Sequence, residues 1–259
     1  MMFNNCLGRT KHWANWYWIW CLIKISECMS CIALRIHPKK GIRTRKHNVR
    51  RDLADLPQSV VKASRTYLNF SVAALNIVGD LNLSMIVRIS EAMGAKEFHF
   101  LGYRKIDPRG FVGVNYYMPI SREKEPIVIG DGIVPGTNKS ISPLYDFAAF
   151  RKFIEDHRYY PIYIEQPFAD MKCHEISQYG WDDIPIGLTP CLIFGNEGHG
   201  IPKKLVEDVK GTVVHIDQIG VTRSLNVSAS AIIAIHHASM HFKNSAESVQ
   251  KNEVMNTVH

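Results

Sequence analysis

From about Val60 onward, short apolar runs alternate with longer stretches in which apolar positions recur every three or four residues. That alternation is the pattern of strands interleaved with helices. Val72 to Val78 predicts a buried strand, Asn82 to Ala95 a helix with Met85, Ile86, Ile89 and Met93 on one face, and Phe98 to Gly102 a second strand. Further strands are predicted over Pro126 to Gly130, Pro161 to Glu165, Cys191 to Phe194 and Thr212 to Ile216, with helices over Leu144 to His157 and Pro202 to Val209. A long helix from Asn226 to about Phe242 closes the pattern, and the polar stretch from Lys243 is expected to fray. Five or six strands with intervening helices imply an α/β fold, a mainly parallel sheet covered by helices on both faces. No internal repeat is visible, which excludes solenoids and propellers.

The first fifth of the chain is different. Trp13, Trp16, Tyr17, Trp18, Ile19, Trp20, Leu22, Ile23 and Ile25 are dense in apolar surface, but Lys24, Glu27 and Arg35 interrupt them. The uninterrupted run falls short of the ~20 residues that cross a bilayer, and no small-residue cleavage signature follows. An interfacial or packing helix ranks first here, a poorly ordered extension second and a membrane span third, so no stable span is expected. The organisation read from the pattern is an extension over 1–51, a main domain over 52–242 and a polar tail over 243–259.

Charge sharpens that division. The net charge is +7, yet residues 1–51 hold 11 basic residues and one acidic residue, so the whole excess lies in the extension. Lys39, Lys40, Arg43, Arg45, Lys46, Arg50 and Arg51 follow one another with no acid among them. Such a stretch gathers on a phosphate backbone by releasing condensed counterions. Charge alone does not choose between RNA, DNA and an anionic membrane, and a solvated arm without a partner is the plain alternative. Cys28 and Cys31 form a CxxC, but no second pair at finger spacing completes a zinc site. With Cys173 and Cys191 far apart, a reducing, cytoplasmic setting is the simpler expectation.

Three segments carry candidate chemistry. In Leu192-Ile193-Phe194-Gly195-Asn196-Glu197-Gly198-His199-Gly200-Ile201-Pro202, an apolar strand runs into three glycines and a proline able to open a helix. The glycine order is G-x-x-G-x-G, which fits neither the dinucleotide fingerprint nor a phosphate loop followed by Lys-Ser/Thr. In His215 to Ser230 a strand and a turn at Gly220 lead to Ser224-Leu225-Asn226-Val227-Ser228, where Ser224 suits an ordinary helix cap. In the third, Asn82 is placed to cap a helix after Asp80, and Arg88 follows six residues on, where an arginine is by itself most often a surface charge.

Taken together and in this order, the segments resemble the SpoU/TrmH branch of the SPOUT methyltransferases, above all the tRNA guanosine ribose 2′-O-methyltransferases of TrmH type. The resemblance covers about residues 70–242 and rests on Asn82 with Arg88, on Phe194 to Gly198 and on Ser224 to Ser228. It implies S-adenosylmethionine-dependent methyl transfer to a ribose 2′-hydroxyl, a trefoil knot in the C-terminal half, and a homodimer with active sites at the subunit interface. Carried over position by position, it makes Leu192, Phe194, Gly195, Asn196, Gly200, Ile216, Gly220 and Leu225 the cofactor pocket. Arg88 would clamp the phosphate beside the target ribose, with Asn82 and Ser224 around that phosphate, because a guanidinium is always protonated and offers only donors. Glu197 and Asn226 would hold loop geometry or polar parts of the site, and the proton acceptor is unassigned.

Two departures stand out: Asp217 and Gln218 replace the proline and methionine that usually follow Ile216, and His199 stands where an apolar residue is usual. The histidines at 236, 237 and 241 lack accompanying carboxylates, so a surface or dimer-face role is expected and no metal. RNA is the expected partner, tRNA before rRNA, held by the basic segment. A non-catalytic RNA-binding protein that keeps the knotted fold is the alternative.

Overall fold

The structure, a computed structural model, describes residues 56–102, 107–122, 127, 145–181 and 183–257, with side chains as far as residue 246. The aromatic segment, the CxxC and the basic residues Lys39 to Arg51 lie outside the described residues, as does the expected strand at 126–130 apart from Ile127, which is buried. Among the described residues no helix is long and apolar enough to cross a membrane.

After a short helix, α1 (Gln58–Ala63), come β1 (Ser71–Leu75), α2 (Asp80–Ala92), β2 (Phe98–Leu101) and β3 (Ile120–Arg122). The chain continues through α3 (Phe147–Asp156), β4 (Tyr159–Ile164), β5 (Cys173–Glu175), β6 (Thr189–Phe194), α4 (Lys203–Asp208), β7 (Thr212–His215) and α5 (Val227–Thr257). The strands form one seven-stranded sheet in the order β3-β2-β1-β6-β4-β7-β5, with every pairing parallel. A parallel sheet must be covered on both faces, and strand alternation divides its side chains accordingly. Val72, Ala74, Ile162, Leu192 and Phe194 pack with Leu83, Ile86 and Val87 of α2 and Ala231, Ala234 and Ile235 of α5. Ala73, Leu75, Tyr163, Cys191 and Ile193 pack on the other face with Phe150 and Phe153 of α3 and Leu205 of α4.

Several sequence expectations change. β3 and β5 are edge strands of three residues each, too short to show an apolar alternation. Met85 is exposed rather than core, because α2 turns Leu83, Ile86, Val87 and Ser90 to the sheet. α5 continues past Lys243 to Thr257, where a fraying tail is expected. His237 is half-buried: its Nδ1 accepts from Trp181 Nε1 at 3.3 Å, and Trp181 is itself buried.

At the N-terminal edge of the sheet His99 is fully enclosed. The Tyr159 hydroxyl donates to Glu97 Oε1 at 2.8 Å, so at 2.7 Å from His99 Nε2 it accepts, and Ser121 Oγ faces Nδ1 at 2.6 Å. Burial, with His157 beside it, pushes the imidazole down from 6.5 to about 3, so its 3.8 Å approach to Glu97 is not an ion pair at neutral pH. The unfolded chain therefore binds the proton first, and stability is lost as pH falls from about 6.5 toward about 3. The expected slope from this group is about 1.4 kcal/mol per pH unit. Urea unfolding of the wild type and of His99→Gln between pH 7 and 5 checks it: the variant is expected to be weaker at pH 7 and to lack that slope.

Candidate functional site

The carboxyl ends of parallel strands leave a crevice where the chain departs to either side, and in open α/β sheets ligands bind there. Here β4, β6 and β7 end on a cavity of about 690 Å³ lined by Ile164, Glu165, Gln166, Phe194 to Gly200, Ile216, Arg223 to Val227 and Ser230. Its size lies within the range of small-molecule and cofactor sites.

The turn after β6 closes on itself. Gly200 N donates to Asn196 O at 2.8 Å, and Asn196 Oδ1 accepts from the amides of Gly198 at 2.9 Å and His199 at 3.1 Å. Gly200 has φ +64°, the left-handed region that glycine reaches without cost. Glu165, at the end of β4, accepts from Ile201 N at 2.6 Å and Gln166 N at 2.8 Å, tying the strand to the turn.

Glu197 reaches across to the loop after β1. It accepts from Val78 N at 2.9 Å, Gly79 N at 2.9 Å and Asn82 Nδ2 at 3.0 Å. Partial burial raises its pKa, but these three donors outweigh that and hold the carboxyl below its usual value, ionised at neutral pH. Asn82 Oδ1 in turn accepts from Asn226 Nδ2 at 3.1 Å, and Asn226 Oδ1 accepts from Ser228 N at 2.9 Å and Ser228 Oγ at 2.6 Å. The carboxylate accepts only, so each amide in the chain has one allowed orientation.

This network revises the helix starts. α2 begins at Asp80, with Asn82 inside its first turn and no side-chain cap on Gly79. α5 is capped by Asn226, not Ser224, which is exposed two residues earlier and lines the cavity. The three stretches singled out in the sequence meet through Asn82, Glu197 and Asn226.

Not every expected residue reaches the cavity. Phe194, Gly195, Asn196, Gly200, Ile216 and Leu225 line it. Leu192 does not, because strand alternation turns it into the core at 0% exposure. Gly220 stands in the open, with nothing within 4 Å of where a Cβ would be, so it contributes no wall. Arg88 is also outside the cavity: it is exposed on α2, in line with Leu81 and Met85 at helical spacing, and has no hydrogen bond or ion pair among the described residues. Asp217, a carboxylate expected beside the cofactor loop, pairs with His215 Nδ1 at 3.1 Å and does not line the cavity. The structure adds Ile164, Glu165 and Gln166, which sequence reading missed; the signal was that β4 ends in parallel beside β6. Among the described residues no group of three or more His, Cys, Asp or Glu is arranged to hold a metal.

Residues 137–236 match the model of the SpoU rRNA Methylase family. This segment takes in α3 through the first turns of α5 and with them both glycine-bearing loops, whereas Asn82 and Arg88 precede it. The fold is similar to that of the A. aeolicus TrmH/SpoU tRNA modifying enzyme, at 15% identity over 73% of this chain and 84% of that one, with a TM-score of 0.53. A probable methylase family protein from Haemophilus influenzae Rd KW20 matches at 12% identity over 70% and 69%, with a TM-score of 0.53. The SpoU methyltransferase AviRb from Streptomyces viridochromogenes matches at 15% identity over 71% and 64%, with a TM-score of 0.50, and is also known in complex with the cofactor AdoMet. A search of curated proteins gives no match.

Proposed function

We propose that the protein transfers a methyl group from S-adenosylmethionine to a ribose 2′-hydroxyl of RNA, with tRNA as the preferred substrate. The observation that carries this is the chain Glu197–Asn82–Asn226, which joins three stretches distant in sequence at the wall of one cavity. The residues present suit the cofactor. Phe194, Ile216, Leu225 and Val227 offer flat apolar cover, and the glycine-bearing turn exposes backbone groups for a nucleobase edge. A Cβ at Gly195 would fill part of that turn, 2.5 Å from the Gly200 carbonyl carbon.

When bound, S-adenosylmethionine supplies an electrophilic sulfonium methyl. The chain's task is to hold the ribose oxygen in line and remove its proton. Arg88 serves by clamping the neighbouring phosphate, its five N–H donors matching phosphate oxygens. Since Arg88 does not line the cavity of its own chain, we place it in the site of a second copy. The exposed Leu81 and Met85 beside it on α2, and Ile232, Ile233 and Met240 on α5, form apolar surface suited to a homodimer. A trefoil knot in the C-terminal half is part of this reading and rests on the family resemblance. The basic residues Lys39 to Arg51 supply phosphate contacts, the extension, main domain and tail keep the roles read from the sequence, and the proposed setting is the cytoplasm.

Incubation with methyl-labelled S-adenosylmethionine and unmodified tRNA or rRNA, followed by mapping of 2′-O-methyl positions, tests the reading. Label at a defined tRNA ribose is expected. Label in rRNA alone would move the substrate class, and cofactor or RNA binding without transfer would favour a binding protein.

A further inference from the structure

The proton acceptor for this reaction is unassigned, and the wall of the cavity presents few candidates. Glu197 is committed to Val78 N, Gly79 N and Asn82, and both carboxylate oxygens of Glu165 accept backbone amides. Arg223 is a cation, and Ser224 and Gln166 are neutral groups with no useful basicity. His199 remains, exposed at the cavity wall.

The surroundings of His199 favour one tautomer. Asn196 is buried, and its Nδ2 donates to Asn76 O at 2.8 Å while its Oδ1 accepts from Gly198 N and His199 N. A backbone carbonyl on one side and two backbone amides on the other leave that amide one orientation. The His199 ring meets the oxygen end, with Nδ1 3.3 Å from Asn196 Oδ1. An amide oxygen only accepts, so Nδ1 carries the hydrogen and Nε2 keeps its lone pair. Nε2 has no hydrogen-bond partner among the described residues. An imidazole held by an oriented acceptor on one nitrogen and bare on the other is the arrangement of a general base.

We propose that His199 Nε2 takes the proton of the target 2′-hydroxyl. The inference rests on the ribose methyl transfer proposed above. The O–H bond breaks with its proton passing to Nε2, the oxygen pair forms the new C–O bond, and the C–S bond of the methyl sulfonium breaks with its pair left on sulfur as a neutral thioether. The imidazolium then returns its proton to solvent. The charged groups lining the cavity with His199 are Glu165, Glu197 and Arg223.

Two measurements test this on the full chain. Long-range proton–nitrogen NMR of histidine-labelled protein without ligands, with His199 assigned from His199→Asn, is expected to show Nδ1–H and a bare Nε2. A proton on Nε2 overturns the proposal whatever the enzyme does. In single-turnover methyl transfer, His199→Gln is expected to slow the chemical step at least about 100-fold and to abolish the acid limb of the pH–rate profile. Affinity for S-adenosylmethionine by calorimetry should stay within about threefold. Full turnover in the variant, or a loss confined to cofactor affinity, overturns His199 as the base. Absence of transfer by the wild type, with Nδ1–H observed, instead removes the methyltransferase reading, and the assignment with it.

Discussion

Gly195→Ala is expected to abolish binding of S-adenosylmethionine, lowering affinity by more than about 100-fold. The new methyl would stand 2.5 Å from the Gly200 carbonyl carbon and 2.7 Å from Ile201 N, both backbone atoms of the returning arm of the turn. Neither can rotate away, and Gly200 N is bonded to Asn196 O while Ile201 N is held by Glu165, so the arms must part. Overpacking of this kind costs about 1–3 kcal/mol. Here the strain falls on the cavity wall itself, and opening the turn pulls Asn196 and Glu197 from the loop after β1. Gly220→Ala is the control: with nothing within 4 Å of its Cβ position, it is expected to leave affinity unchanged. Calorimetric titration of both variants, with thermal unfolding alongside, makes the comparison. Wild-type affinity in Gly195→Ala would remove this turn from the cofactor site.

Arg88→Ala is expected to slow methyl transfer by about 100- to 1,000-fold while leaving cofactor affinity intact, the scale of losing a positioned charge-stabilising donor. The side chain is exposed and without partners among the described residues, so its removal should change stability by less than about 0.5 kcal/mol. A loss of turnover in a stable protein would then report directly on the substrate. If Arg88 acts in the site of a second copy, mixing Arg88→Ala with the inactive partner variant His199→Gln should restore part of the activity, because a mixed dimer contains one site with both residues. Kinetics on the two variants alone and mixed gives the answer, and turnover in Arg88→Ala equal to wild type would exclude it from the mechanism.

Much of the architecture was legible in the chain. The central strands β1, β2, β4, β6 and β7 are mainly apolar because both faces of a parallel sheet are covered, and burial on two sides leaves few polar positions, such as Ser71 and His99, to interrupt the run. Edge strands β3 and β5 escape notice for the opposite reason. The family resemblance singled out Asn82, Glu197, Ser224 and Asn226, but local rules assigned the caps incorrectly. Asn82 follows a turn and suits an N-cap, yet it lies inside the first turn because Glu197, 115 residues away, supplies its partner. Ser224 has the right chemistry for a cap, but Asn226 is the residue whose oxygen meets the first free amides of α5.

The sequence by itself determined most of the elements and the parallel sheet, since periodicity is a local property of the chain, while the three stretches stood out through their joint resemblance to one family. Which groups line the cavity was decided by tertiary structure. Strand register turned Leu192 inward, parallel pairing brought Glu165 beside Gly200, and a carboxylate from one loop oriented amides in two others. Hydrogen-bond direction in such a network depends on partners more than 100 residues apart, and no local pattern encodes it.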